Sequence, residues 1–311
     1  MSPAPVPHYL TELLYIMATS DSTERRSSVN RQHRNVVSID RDRQIAYAEY
    51  GRSDGAPVVF LHGTPGSHRL GALLETAARE HGVRVLAPER PGYGRSSLWP
   101  DHSVRDAADF LTPVLDDAEV QTTGLIAFSG GSSYALSFAA TQPDRVDRVD
   151  IVSGATPPDV SDGTPAIQRL LAGLATTAPL VLRGLFRGQA WFANHLDPSF
   201  VVAQYTAEAN AETVPDDAAE IVKEDFVEAF ARHRRGAVTE FRDTATDWGI
   251  DFGEIRSTVE LWHGEIDTNV PIAGVRRLKR KIPTAEVRVR DDADHLQTLL
   301  RSIPDVLEKH R

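Results

Sequence analysis

Short apolar runs alternate with helical patterns along much of this chain, and that alternation narrows the fold more than any other feature. Val58-Val59-Phe60-Leu61 reads as a compact buried strand, and residues 68–80 as a helix. Val83–Pro88 is the next strand; residues 103–117 form a helix bent near Pro113. Gly124–Phe128 is a strand, Ser132–Ala140 a helix and Val149–Val152 a strand. Strands that alternate with helices pair in parallel and are covered on both faces, so the fold class is α/β, with a mostly parallel central β-sheet flanked by helices. Ahead of the alternation, Val36–Asp42 and Gln44–Gly51 read as a hairpin across an Asp-Arg turn. After residue 156 the pattern stops. Residues 157–250 offer helical stretches, among them Ile167–Leu174 and Ala218–Ala231, and no convincing strand. It resumes with a strand at Val259–Trp262, a helix over 272–281, a strand at Glu286–Arg290 and a helix over 296–308. The expected organisation is therefore a core of residues 36–156 and 251–311, interrupted by a helical cap at 157–250.

Composition removes several functions. The chain has 311 residues, enough for one sizeable core with a smaller packing unit. It has no cysteine, which rules out disulfides, thiolate catalysis and Cys-type metal sites. A net charge of −10 argues against nucleic acid as a partner, since binding it needs a basic patch. Only four lysines accompany that charge, so arginine carries nearly all the positive charge. The ordinary reading is a solvated acidic surface; salt adaptation is the rival, and unfolding midpoints across KCl concentrations separate the two. No stretch approaches the ~20 apolar residues of a membrane span. The run Tyr9–Met17 contains Glu12 and follows no Lys or Arg, so it lacks the charged start of a secretory signal, and a cytoplasmic location is expected. Residues 1–35 open with three prolines and continue as a polar, Arg- and Ser-rich stretch, which reads as disordered, with Met17 a candidate natural start. The sequence does not disclose the oligomeric state.

The chemistry concentrates in four segments. In Leu125-Ile126-Ala127-Phe128-Ser129-Gly130-Gly131-Ser132-Ser133 an apolar strand runs into a serine, and two glycines lead into a helix. That is the context of a nucleophile elbow, whose strained turn needs small residues two before and two after the serine. Ala127 and Gly131 meet the need, Ala127 standing where the pattern has glycine. A phosphate-binding loop is the rival, but no lysine follows the glycines as a Walker loop requires. His62-Gly63-Thr64-Pro65-Gly66 follows the first strand of the alternation. Its small residues let the Thr64 N–H turn toward the serine, with the Gly130 N–H as second donor of an oxyanion hole. His62 is expected to be structural. Trp262-His263-Gly264-Glu265-Ile266-Asp267 ends a later strand and offers two acids at the same sheet edge, Asp267 further into the loop and Glu265 nearer the strand. His295 lies past the last strand, completing the chain order Ser…Asp…His.

Together with Pro88-Glu89-Arg90-Pro91-Gly92-Tyr93-Gly94-Arg95-Ser96, these segments resemble the α/β-hydrolase family over roughly residues 36–310. The likeness is to the branch in which a helical cap follows the sixth strand. Glu228-Ala229-Phe230 and Trp248-Gly249 are similar to a subgroup known only as generic hydrolases, and Glu89 stands where members often carry Asp. The resemblance implies acyl transfer: Ser129 as nucleophile, His295 as general base, Asp267 orienting the imidazole, no metal and no organic cofactor. It implies a small-molecule acyl substrate, first of all a carboxylic ester. A lactonase, a C–C bond hydrolase, an aminopeptidase or a non-enzymatic binder on the same scaffold are the alternatives. An aminopeptidase would need acids for a substrate ammonium, for which Glu208, Glu212, Asp216 and Asp217 are candidates, although they read as a solvated face. Trp191 and Phe192 suggest an apolar substrate pocket, and cap packing accounts for them equally well.

Overall fold

The apolar runs of the sequence become strands because their alternate side chains can be buried on two opposite faces. In a computed structural model, which describes residues 34–100, 102–161, 165–207, 213–243 and 245–311, strand β3 (Ala56–Leu61) sends Val59 and Leu61 into one apolar cluster and Val58 and Phe60 into another. Strand β5 (Thr123–Phe128) repeats this, with Leu125 and Ala127 on one side and Ile126 and Phe128 on the other. A strand buried on both faces reads as a continuous hydrophobic run rather than an alternating one. The eight strands, with β1 (Arg34–Ser38), β2 (Gln44–Gly51), β4 (Val83–Pro88), β6 (Val146–Val152), β7 (Thr258–Gly264) and β8 (Ala285–Arg290), lie in the order β1-β2-β4-β3-β5-β6-β7-β8. β1 and β2 pair antiparallel, β2 joins β4 antiparallel, and the remaining neighbours are parallel.

The expected hairpin is present, but its first strand begins at Arg34, inside the segment read as disordered, because Asn35 pairs with Tyr47 in the ladder and its side chain donates to Glu49. The rest of that segment, residues 1–33, lies outside the described residues. The helix expected over 68–80 is split: His68–Leu74 is 3₁₀, capped by the Ser67 hydroxyl, and only α1 (Glu75–His81) is α-helical. Helices α2 (Ala107–Asp117) and α3 (Gly131–Thr141) pack on the first cluster with α9 (Ile272–Lys281). Helix α1 and the last helix, α10 (His295–Glu308), pack on the second.

Between β6 and β7 the described residues form helices α4 (Ala166–Thr177), α5 (Pro179–His195), α6 (Ser199–Val202), α7 (Asp216–Ala229) and α8 (Arg235–Asp243). They carry no strand. Phe186 of α5 stacks with Phe230 and Phe241 at 5.3 and 5.8 Å, and these helices share the second apolar cluster with the sheet. Parallel strands all point their carboxyl ends one way, so the loops after β3, β5, β6, β7 and β8 gather at one edge, beneath this insertion.

Candidate active site

Ser129 sits where β5 turns into α3, with φ of +50°, a left-handed conformation unfavourable for any residue with a Cβ. The turn is pinned from both sides: the Ser129 N–H donates to Val152 O at 3.0 Å, and Ser129 O accepts from the N–H groups of Ser132 (3.1 Å) and Ala155 (3.0 Å). The following glycines are required by crowding. A Cβ at Gly131 would lie 2.5 Å from Leu61 O, and one at Gly130 would lie 2.2 Å from Thr64 Oγ1. The same closeness brings Thr64 beside the elbow. Among the described residues, neither the Thr64 N–H nor the Gly130 N–H finds a protein acceptor, as an oxyanion hole requires.

The acid and the base meet on the adjoining loops. His295 Nδ1 and Asp267 Oδ2 are 2.8 Å apart, and both residues are buried. Asp267 Oδ1 also accepts from the N–H groups of Asn269 and Val270, each at 2.9 Å. Burial works against the Asp267 charge. The His295 imidazole beside it, the hydrogen bond from that ring and nearby His263 outweigh burial, so its carboxyl is held below the usual range. Glu265, the other acid of this loop, is exposed. With Nδ1–H given to Asp267, the Nε2 lone pair of His295 is free to take a proton. The ring of Phe128, next to Ser129, packs 4.9 Å from that of His295, and Ser153 Oγ donates to His295 O. No hydrogen bond joins the Ser129 hydroxyl to His295 among the described residues; such contacts commonly tighten only once substrate is bound.

A cavity of about 270 Å³ opens over Ser129. Thr64, Gly130, Thr156 and Val270 line its floor, and Gln168, Arg169 and Ala172 of α4 and Phe241 of α8 its insertion side. Trp191 and Phe192, expected in the pocket, are absent from this lining. They stand on the outer side of α5, 57% and 49% exposed, in contact with each other at 5.1 Å. The reason is helical phase: Leu182, Phe186 and Ala193 occupy the inward face of α5, and positions 191 and 192 fall on the outward one.

His62 behaves as a structural residue. Its Nδ1–H donates to Gly63 O at 2.8 Å and its Nε2 accepts from the Arg90 N–H at 3.4 Å. Burial, reinforced by the neighbouring Arg90 charge, keeps the ring neutral. Sequence reasoning missed what holds this loop. Arg90 binds Glu240 of α8 through Nε (2.6 Å) and Nη2 (2.8 Å), and also donates to the carbonyls of His62 and Gly63. Glu240 in turn accepts from the hydroxyls of Thr64 (2.6 Å) and Tyr93 (2.8 Å). Both charges are buried; desolvation opposes each, and each is restored by the other, so both stay ionised. Arg90 was visible in its motif, but nothing in the sequence pointed to a partner 150 positions away. The insertion is also tied to the acid–base loops: Gln168 Nε2 donates to Asn269 O, Asn269 Nδ2 to Gln204 O, and the Leu296 N–H to Tyr205 O.

Residues 56–301 match the alpha/beta hydrolase fold. The chain belongs to the α/β-hydrolase family. An α/β-hydrolase it resembles is a haloalkane dehalogenase of Mycolicibacterium paratuberculosis, 34% identical over 117 residues; the match spans 37% of this chain and 39% of that enzyme. A 2-hydroxy-6-oxononadienedioate/2-hydroxy-6-oxononatrienedioate hydrolase of Cupriavidus pinatubonensis is 27% identical over 69% of this chain and 70% of its own length. Among solved structures, a bromoperoxidase from Bacillus anthracis superposes with a TM-score of 0.67 at 21% identity, covering 89% of this chain and 99% of the other, a likeness of fold. Among the described residues no helix is long and apolar enough to cross a membrane.

Proposed function

We propose that this α/β-hydrolase is a serine hydrolase acting on a carboxylic ester or related acyl compound, and that the helices between β6 and β7 are its cap. The observation that carries the reading is the buried Asp267–His295 pair at 2.8 Å beside a serine held at positive φ over a cavity. In this reading His295 Nε2 takes the Ser129 proton as the hydroxyl oxygen attacks the substrate carbonyl. Asp267 holds the Nδ1–H tautomer and stabilises the imidazolium. The Thr64 and Gly130 N–H groups receive the oxyanion. The imidazolium then protonates the leaving group, and water activated by His295 releases the acid. None of these steps calls on a metal or organic cofactor.

Serine at the elbow speaks against the dehalogenase chemistry named for one relative, since dehalogenases of this family use Asp there. The aminopeptidase alternative lacks support, because among the described residues no Asp or Glu lines the cavity. Asp216 and Asp217 are exposed in the first turn of α7, while Glu208 and Glu212 lie outside the described residues. Esters, lactones and C–C substrates would call on the same triad, and a panel of the three ranks them by kcat/KM.

The test is labelling with a fluorophosphonate probe, mapped by mass spectrometry, with Ser129→Ala as control. Such probes react only with a serine activated by a base and an oxyanion hole. An adduct at Ser129 that vanishes in the variant is expected. A folded protein that reacts neither with this probe nor with a smaller uncharged one is a ligand-binding scaffold instead.

A further inference from the structure

The outer surface of the insertion is unlike the rest of the molecule. Of the large apolar side chains left exposed among the described residues, all but Val36, Ile266 and Val289 lie between Ile167 and Phe200. On α5, Leu180, Val181, Leu185, Trp191 and Phe192 are 49–74% exposed. At 100° per residue they fall within one outward arc of the helix. Gly184 and Gly188 lie in the same arc, and a Cβ built on either would meet nothing within 4 Å. Trp191 stacks on His195 at 4.5 Å, and Phe192 lies 6.4 Å from Phe200 of α6, so the exposed rings are contiguous. Exposed contiguous apolar surface of this kind marks a docking face.

Charge identifies the occupant. Residues 166–195, which make up α4 and α5, contain Arg169, Arg183 and Arg187 and no acidic residue, in a chain of net charge −10. Arg187 borders the apolar arc of α5. Aromatic and aliphatic side chains flanked by arginine in excess of acid are the makeup of a helix that lies in the interface of an anionic lipid layer. A second copy of the same face would set these three arginines against one another with a single exposed carboxylate, Asp197 between α5 and α6, to pair them. We propose that the outward face of α5, with the exposed apolar ends of α4 and α6, docks on the surface of a membrane containing anionic phospholipid. Gln168, Arg169 and Ala172 of α4 line the cavity over Ser129, so docking would set the cavity close to the lipid surface. Vesicle binding needs no turnover, so the proposal is independent of the acyl-transfer reading.

The test is flotation of the full chain with vesicles of phosphatidylcholine plus phosphatidylglycerol, and of phosphatidylcholine alone, with solution mass by analytical ultracentrifugation. The expected result is binding that needs phosphatidylglycerol and weakens with salt. Leu180→Ser and Leu185→Ser should each weaken partition about tenfold. Arg187→Glu should weaken it about fivefold or more at low salt, and all three should unfold at wild-type temperature. Wild-type protein that fails to float with phosphatidylglycerol vesicles overturns the proposal, as does a Leu180→Ser/Leu185→Ser double variant that floats like wild type. A dimer that dissociates in the double variant overturns it too, and gives the face to a second copy of the chain.

Discussion

The two ends of the candidate active site are held in place by opposite means. At the acid–base end, Asp267 and His295 sit on neighbouring loops of β7 and β8 and are fixed by short-range bonds: two backbone N–H groups three or fewer residues from the carboxylate, and one imidazole. At the other end, the loop after β3, which carries Thr64, is fixed by a buried ion pair whose acid comes from α8, far along the chain. The first arrangement belongs to the sheet. The second couples Thr64 and its loop to the packing of the insertion, so a change in the insertion reaches that loop through Glu240.

That contrast can be pressed by substitution. Ser129→Ala should lower kcat by about 10⁶-fold without moving the unfolding midpoint, since triad members act as a unit. Asp267→Asn should cost about 10⁴-fold, because the amide favours the wrong imidazole tautomer. Measured kcat within tenfold of wild type for either would break the acid–base half of the comparison. Glu240→Gln leaves the Arg90 charge buried without its partner. It should destabilise the fold by about 3–5 kcal/mol, read by chemical denaturation. Steady-state rates below the new midpoint should show kcat reduced by about 10²-fold with KM little changed, as for loss of an oxyanion donor. Unchanged kcat would mean that the ion pair supports the fold and not the oxyanion loop.

Asp225 gives a smaller, pH-dependent test at the same end. This α7 carboxylate accepts from Ser67 N–H, Ser67 Oγ and Leu70 N–H, all at Oδ1, and burial pushes it up to about 7. Its folded value lies above the ~3.9 of an unfolded aspartate. The folded state therefore binds the extra proton between those values, and stability falls as pH rises from about 4 to about 7, by about 1.4 kcal/mol per pH unit at most. Asp225→Asn keeps the Oδ1 acceptor and should remove that slope from the unfolding midpoint. Last, Trp191→Ala should leave KM for a soluble ester within about twofold and stability within about 0.5 kcal/mol, because the ring is exposed and outside the cavity.

Much of this was legible in the chain itself. The strand at Val83–Pro88 and the helix over 272–281 match the observed bounds, because a mostly apolar run and a sharp amphipathic period leave few alternatives. The helix expected over 103–117 opens as a 3₁₀ turn at Val104–Asp106 and is α-helical from Ala107, with Pro113 inside it. The 3₁₀ turn at His68–Leu74 was not legible, since it is set by Ser67 and the distant Asp225, not by local periodicity. Trp191 and Phe192 were misplaced for a related reason: an aromatic pair on an amphipathic helix does not say which way the helix will roll until its partners Phe230 and Phe241 are packed.

By itself the sequence determined the sheet, the turn at Ser129 and the chain order of Ser129, Asp267 and His295, because each rests on local patterns whose physics is confined to a few neighbouring residues. Only the tertiary structure decided that Asp267 rather than Glu265 meets His295, that Glu240 ties down the loop after β3, and that the aromatic face of α5 looks outward. Those are contacts between residues far apart in the chain, and a single sequence carries no record of distance until the chain has folded.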